Sequence, residues 1–208
     1  MSARIAILDY GMGNLRSVEK ALEQVGASAT VTAAQRPVRD ADGLVLPGVG
    51  AFPRAIERIR ERGLDELVAE RVEAGVPVLG ICLGLQLLFD SSTELGGAAG
   101  LGLLPGPVER LRAPGLKVPL IGWARVRWER ESRLTEGIES ETPFYFVHSF
   151  APNPAGDELL GSVEYGERFC CAAQRDNVFG VQFHPEKSSA AGLRLLSNFA
   201  GVCAAVPA

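Results

Sequence analysis

The stretch Val78-Leu79-Gly80-Ile81-Cys82-Leu83-Gly84-Leu85-Gln86 decides how this chain folds. Its first half is apolar with strand character and stops at a thiol. Its second half is apolar with helix character and starts just past it. Glycines stand two residues to either side of the cysteine. A strand that turns sharply into a helix with a nucleophile at the apex needs this spacing, because glycines permit the tight turn and the close approach of a substrate. A strand over 77–81 and a helix over 83–90 follow. On this pattern alone, a buried cysteine at a strand–helix junction is an equal reading.

Upstream, strand and helix alternate. Residues 5–8 read as a buried strand. Val18, Ala21, Leu22 and Val25 then recur at three- and four-residue steps, which marks an amphipathic helix. Gly26 takes the C′ position behind it. Residues 28–32 and 43–46 read as strands, the latter ended by Pro47-Gly48-Val49-Gly50. Ile56, Ile59, Leu64, Leu67 and Val68 lie in a charged helical region broken at Gly63. This alternation implies a parallel sheet with crossover helices.

Downstream, residues 91–107 read as a glycine-rich loop. Short β-like pieces follow at 117–128, 144–150, 159–165, 169–174 and 178–183, as antiparallel strands at the sheet edge or in a small second sheet. Ser188 caps a last helix that offers Leu193, Leu196 and Phe199 to the core. The expected fold is one α/β domain over 1–208. A mostly parallel central sheet is flanked by helices, with additional antiparallel strands in the C-terminal half.

The bulk numbers narrow the function. With 208 residues, 47% of them hydrophobic, the chain can build a sizeable core, since chains of this length bury roughly 70% of their unfolded surface. A net charge of −4 gives no basic face, so nucleic acid is not an expected partner. No leader pattern and no span of ~20 apolar residues is seen, so the chain is expected to be soluble and cytoplasmic, away from membranes. The four cysteines show no repeated C-x-x-C spacing. No metal site or cofactor is expected, and free thiols suit a reducing compartment. Cys170 and Cys171 read as strand neighbours facing opposite sides, and Cys203 as incidental.

Gln182-Phe183-His184-Pro185-Glu186 changes the weight of Cys82. His184 falls at the C-terminal end of a strand-like run, on the rim where open α/β sheets bind ligands. Pro185 favours extended geometry at His184, and residues i and i+2 of an extended chain point the same way. Glu186 can then fix the ring's tautomer, as the third member of a triad does, with His184 as base for a Cys82 nucleophile. Leu83 N–H and the glycine-rich Gly48-Val49-Gly50 loop are candidate oxyanion donors. Gly11-Met12-Gly13-Asn14-Leu15-Arg16 is half a dinucleotide fingerprint with Arg16 at the third glycine; it reads as a turn before the first helix. His148, in an aromatic strand, reads as structural.

These segments together resemble the class I (triad) glutamine amidotransferases. The resemblance narrows, through Asp9–Leu15, Pro47–Phe52, Tyr145-Phe146-Val147-His148-Ser149 and Pro185-Glu186-Lys187-Ser188, to the glutaminase subunits of imidazole glycerol phosphate synthases. It covers nearly the whole chain and implies the following. Cys82 attacks the side-chain amide of glutamine, His184 protonates the leaving ammonia and activates water, and Glu186 orients His184. Gln86 and the Ser149-Phe150 backbone hold the amino-acid end of glutamine. Ammonia passes to a (β/α)8-barrel cyclase subunit in a heterodimer of the histidine pathway, which makes imidazole glycerol phosphate and aminoimidazole carboxamide ribotide. Gly11, Met12, Gly13, Asn14, Trp123 and Lys187 lie in segments that meet the barrel. Where the family reads Pro-His-Met-Gly-Trp-Asn, this chain has Pro119-Leu120-Ile121-Gly122-Trp123-Ala124. This departure bears on the subunit contact and its activation, and leaves the triad intact. The alternatives are a triad glutaminase serving anthranilate, carbamoyl phosphate or GMP synthesis, or a non-catalytic binding subunit of the same fold.

Overall fold

Alternating apolar residues on the strands send side chains to both faces of one sheet, and helices cover each face. The computed structural model describes residues 2–205; residue 1 and residues 206–208 of the expected 1–208 unit lie outside the described residues. The N-terminal half runs β1 (Arg4–Leu8), α1 (Leu15–Gln24), β2 (Ser28–Thr32), α2 (Gln35–Arg39), β3 (Gly43–Gly48), α3 (Phe52–Glu61), α4 (Leu64–Glu73), β4 (Val78–Cys82) and α5 (Leu83–Leu88). Short strands β5 (Phe89–Ser92), β6 (Ala98–Ala99) and β7 (Leu104–Arg110) follow. Then come β8 (Leu120–Trp128), β9 (Thr142–His148), β10 (Phe150–Pro152), β11 (Leu159–Tyr165), β12 (Glu167–Arg175), β13 (Val178–Val181) and α6 (Ser189–Ala204).

The main sheet has nine strands in the order β2-β1-β3-β4-β13-β12-β11-β8-β9. Pairing is parallel from β2 through β13 and antiparallel from there to β9. On one face Ile5, Ile7, Val45, Leu79, Ile81 and Phe179 pack with α1 and α6. On the other, Ala6, Leu8, Leu44, Leu46 and Val78 pack with α3, α4 and α5. α1 shows the economy of this arrangement. Its buried face is Val18, Ala21 and Leu22, and fully burying a Val or Leu side chain contributes about 1.5–3 kcal/mol. Gly26 follows with φ +88° as its C′ residue, and Gly63, at φ +62°, separates α3 from α4.

Three expectations need correction. The helix after Cys82 ends at Leu88, and Phe89 opens a strand. Much of the expected 91–107 loop is β structure, in a second sheet of order β10-β7-β5-β6. Its strands are two to seven residues long with glycines between them, so their alternation is too short to register as a pattern. Ser188 does precede α6, but its hydroxyl does not cap the helix. It donates to His184 O at 2.6 Å and accepts from Tyr145 N–H at 3.0 Å, tying the base's segment to β9.

The cysteines outside the junction are free thiols inside the core. Cys170 and Cys171 do face opposite sides of the sheet. Cys203 is not incidental: it is 1% exposed and fills the space over Gly43, where a Cβ would lie 2.1 Å from its sulfur.

Candidate active site

β13 places His184 beside Cys82. After a run of antiparallel strands the chain inserts β13 between β12 and β4, parallel to β4, with Gly180 level with Gly80 and Val181 with Ile81. Gln182 therefore emerges beside Cys82, and His184 comes two residues later. β3 flanks β4 on its other side, with Gly48 level with Cys82, so the Val49–Gly50 turn leaves the sheet next to the thiol. All three segments meet at the carboxyl edge of the parallel strands.

Cys82 occupies the elbow at φ +56°, ψ −110°. A non-glycine residue held there costs of order 1–3 kcal/mol, which the packing around it must sustain. That packing is tight. A Cβ on Gly84 would lie 1.7 Å from the carbonyl oxygen of Leu46, and one on Gly80 would lie 2.6 Å from the carbonyl oxygen of Gly84. The two glycines thus let α5 start directly against β3.

His184 Nδ1–H donates to Glu186 Oε1 at 2.8 Å, with both side chains almost wholly buried. Residues Pro185–Lys187 form a single 3₁₀ turn, not the extended run expected, and this turn also brings Glu186 under the ring. Nε2 is left for the cleft side. It makes no hydrogen bond with a protein group, and His184 lines the same cleft as Cys82. Burial, the largest single influence, pushes the imidazole's pKa down. Cys82 and Glu186 together outweigh it and raise the value to about 9. The pair is thus built to hold an imidazolium beside sulfur, which is the charge distribution a thiolate nucleophile requires.

The raised pKa gives a stability prediction with a definite sign. A histidine whose folded pKa of about 9 exceeds its ordinary 6.5 contributes stability that is fully present below 6.5. This contribution is lost as pH rises through about 9. Glu186→Gln removes part of it, so the mutant's stability deficit in urea melts should be larger at pH 6 than at pH 9.5. A deficit independent of pH would mean that the His184–Glu186 contact carries no net charge interaction.

The cleft over the elbow has a volume of about 300 Å³. Val49, Gly50, Cys82, Leu83, Gln86, Ser149, Phe150 and His184 line it, all of them expected from the sequence. Gly48 lies just behind, where a Cβ would strike the Tyr10 hydroxyl at 2.3 Å. Trp123 packs edge-on against Tyr145 at 6.1 Å, and Lys187 Nζ stands 5.9 Å over the same ring. Trp123 is half exposed. Met12, in the turn after β1, reaches the Val49–Gly50 turn: a Cβ on Gly50 would meet its methyl at 2.7 Å. Leu120 and Ala124 point inward from β8 to the core, while Ile121 and Trp123 point outward. The two polar-to-apolar departures, at Leu120 and Ala124, therefore alter the core side of this strand and leave Ile121 and Trp123 as the apolar start of its outward face.

The sequence did not single out Glu94, Pro119 and Val147, which also line the cleft. Glu94 Oε2 accepts from Phe52 N–H at 2.8 Å and so pins the chain just past the Gly48–Gly50 segment. Nothing around Glu94 in the chain marks it. His148, read as structural, lines the cleft as well. Burial holds its pKa down to about 4 despite its bond to Phe150 O, and nearby His184 adds to the effect, so it is a neutral imidazole. A larger cleft of about 440 Å³ between the two sheets has Arg110, Ser162 and Arg168 in its wall and no histidine. Among the described residues, no three His, Cys, Asp or Glu side chains come together as metal ligands. No helix there is long and apolar enough to cross a membrane.

Residues 6–202 match the family described as glutamine amidotransferase class-I. A protein of Moorella thermoacetica named imidazole glycerol phosphate synthase subunit HisH is 54% identical over 196 residues, covering 94% of this chain and 93% of that protein. One of Bacillus cereus with the same name is 47% identical over 198 residues, covering 95% and 94%. Among solved structures, that of PurLQS from Thermotoga maritima matches with a TM-score of 0.78 at 20% identity, over 97% of this chain and 99% of that one. At that identity the likeness speaks to fold alone.

Proposed function

Because the chain belongs to the class I glutamine amidotransferase family, we propose that Cys82, His184 and Glu186 are its catalytic triad. The chain acts in histidine biosynthesis as the glutaminase subunit of an imidazole glycerol phosphate synthase. The observation that supports the triad best is the His184–Glu186 contact at 2.8 Å, with His184 and Cys82 lining one cleft.

The reaction follows from these groups. The Cys82 thiolate attacks the side-chain carbonyl carbon of glutamine. Leu83 N–H, in the first turn of α5 and so without an intrahelical partner, and the Gly48–Gly50 segment receive the developing oxyanion. The imidazolium of His184 gives its proton to the leaving nitrogen, releasing ammonia and leaving a thioester. His184 then takes a proton from water, which attacks the thioester and frees glutamate. Glu186 keeps the ring's tautomer fixed throughout. Gln86, Ser149 and Phe150 hold the amino-acid end of the substrate. The whole chain works as one amidotransferase domain, in the cytoplasm, where its four thiols stay reduced.

Ammonia goes to a cyclase subunit. That partner is a (β/α)8 barrel in a heterodimer, and the chain meets it through Gly11–Asn14, Trp123 and Lys187. An apolar outward face at Ile121 and Trp123, 63% and 52% exposed, supports this placement.

Glutamate release, measured with and without the cyclase and its nucleotide substrate, tests the reading. Release should be slow alone and rise severalfold with both present. An electrophilic glutamine analogue should label Cys82 only, since burial pushes the thiols of Cys170 and Cys203 up to about 12 and that of Cys171 up as well. Label on any of those three would sink the assignment.

A further inference from the structure

A chain of hydrogen bonds runs from the cleft wall to the nucleophile, and one carbonyl fixes the direction of all of them. The oxygen of Phe150 can only accept. Gln86 meets it at 2.9 Å, so the nitrogen end of its amide must point there. The same nitrogen is 3.0 Å from the side chain of Gln182, which must then present its oxygen. The nitrogen of Gln182 is left facing Cys82, with Nε2 3.7 Å from Sγ. Amide oxygen and nitrogen are often interchangeable in a structure; here a backbone acceptor removes the choice. His148 Nδ1 ends on the same carbonyl at 2.9 Å and must also donate.

We propose that Gln182 is a positioning residue of the glutaminase reaction, whose side-chain N–H holds the sulfur of Cys82 as an acceptor and favours thiolate over thiol. The inference rests on Cys82 being the nucleophile, as argued above. Strand register puts Gln182 level with Cys82. The pleat turns it, like Gly180 two residues earlier, toward α5, where Gly180 abuts Leu85 and Gln182 meets Gln86. Gln182 is 0% exposed. A buried amide has to be paired on both its oxygen and its nitrogen, and Gln182 meets Gln86 with the one and Cys82 with the other.

The other groups around the sulfur do not duplicate this role. Tyr10, whose pKa burial and Cys82 both raise, donates its hydroxyl hydrogen to Pro47 O at 2.6 Å. Val147 O, 4.0 Å from Sγ, can only accept, and so serves the thiol form. His184, backed by Glu186, supplies charge, and Gln182 supplies a neutral donor that does not leave when His184 surrenders its proton.

The test uses the complex with cyclase and two variants that lack the donor, Gln182→Met and Gln182→Leu. The rate of iodoacetamide alkylation at Cys82 is followed by mass spectrometry across pH. Both variants should react about fivefold more slowly at pH 7, the worth of one such bond, and recover at alkaline pH. Glutamine-dependent kcat should fall while KM stays within about twofold. In the wild type, the Gln182 side-chain amide ¹⁵N signal should shift as Cys82 ionises, a readout that needs no variant to fold. An unchanged alkylation profile in Gln182→Met, an effect that tracks side-chain shape at every pH, or an amide signal indifferent to Cys82 would each overturn the proposal. Labelling of wild-type Cys82 by the glutamine analogue separates the two readings, because its absence would strike the triad itself.

Discussion

Cys82→Ala is expected to abolish glutamate release from glutamine, by at least about 10⁴-fold, while synthesis from added ammonia by the cyclase survives. The size follows from the chemistry. Without sulfur there is no thioester, and what remains is binding, an oxyanion site and a base with no nucleophile to serve. The survival follows from the structure. The side chain lost is small, and alanine keeps the Cβ that the elbow already accommodates at φ +56°. The same change acts on His184. Removing the thiol takes away one of the two groups that oppose burial, so the imidazole's pKa should fall below its present value of about 9, as followed by NMR. Loss of ammonia-dependent synthesis as well would show that the variant disrupts assembly. Retention of glutaminase activity would remove Cys82 from the mechanism altogether.

Much of this site is legible in the chain because its chemistry coincides with punctuation. Cys82 is bracketed by glycines, and His184 and Glu186 stand on either side of Pro185, so each announces a turn that brings a polar side chain to a strand end. The inner strands of the parallel half of the sheet are legible as well: β1, β3 and β4 are buried apolar runs, and a helix with a clear period follows β1. The place of β13 is not legible. A short apolar segment after several antiparallel strands carries no mark that it will pair in parallel with β4, nearly a hundred residues earlier. Only the requirement that His184 reach Cys82 hints at it. Gln182 is hidden by its position. A polar residue on the pleat face shared with Gly180 reads as an irregularity until α5 supplies Gln86 as its partner. Glu94 is hidden more completely, since it stands in glycine-rich chain without period and acts through a backbone N–H 42 residues away.

The departures at Leu120 and Ala124 show how a sequence difference can mislead about place. Polar residues turned apolar next to an exposed tryptophan suggest a changed contact surface. The pleat of β8 puts them on the other side, where Leu120 is 5% exposed and joins the core with Val126 and Phe146. Two of the outward residues of that strand, Ile121 and Trp123, keep the apolar character a partner would cover.

Gly84→Ala should be the most damaging single substitution for the fold. A methyl there would sit 1.7 Å from the carbonyl oxygen of Leu46, and 2.7 Å from its carbon. Both are backbone atoms of β3, in a strand buried along its length and locked to β4, with Leu46 level with Gly80. Neither can swing aside as the end of a long side chain would. Either α5 must lift off the sheet, carrying Leu83 and Leu85 out of the core, or β3 must leave β4. Overpacking of a core costs typically about 1–3 kcal/mol, and a clash with two fixed backbone atoms belongs at or above the top of that range, a large share of the 5–15 kcal/mol that typically holds a domain together. The melting temperature should fall by roughly 10 °C, at about 2–4 °C per kcal/mol for a chain of this length. Gly201→Ala is the control for the added methyl itself. Gly201 lies exposed in α6 with nothing within 4 Å of the new Cβ, so that variant should gain about 0.5–1 kcal/mol. If the two variants melt together, the elbow is looser than its contacts imply. If Gly84→Ala alone collapses, the elbow's stability and its chemistry depend on the same feature. The close approach of β3 that excludes a side chain at position 84 also sets the Val49–Gly50 segment beside the sulfur.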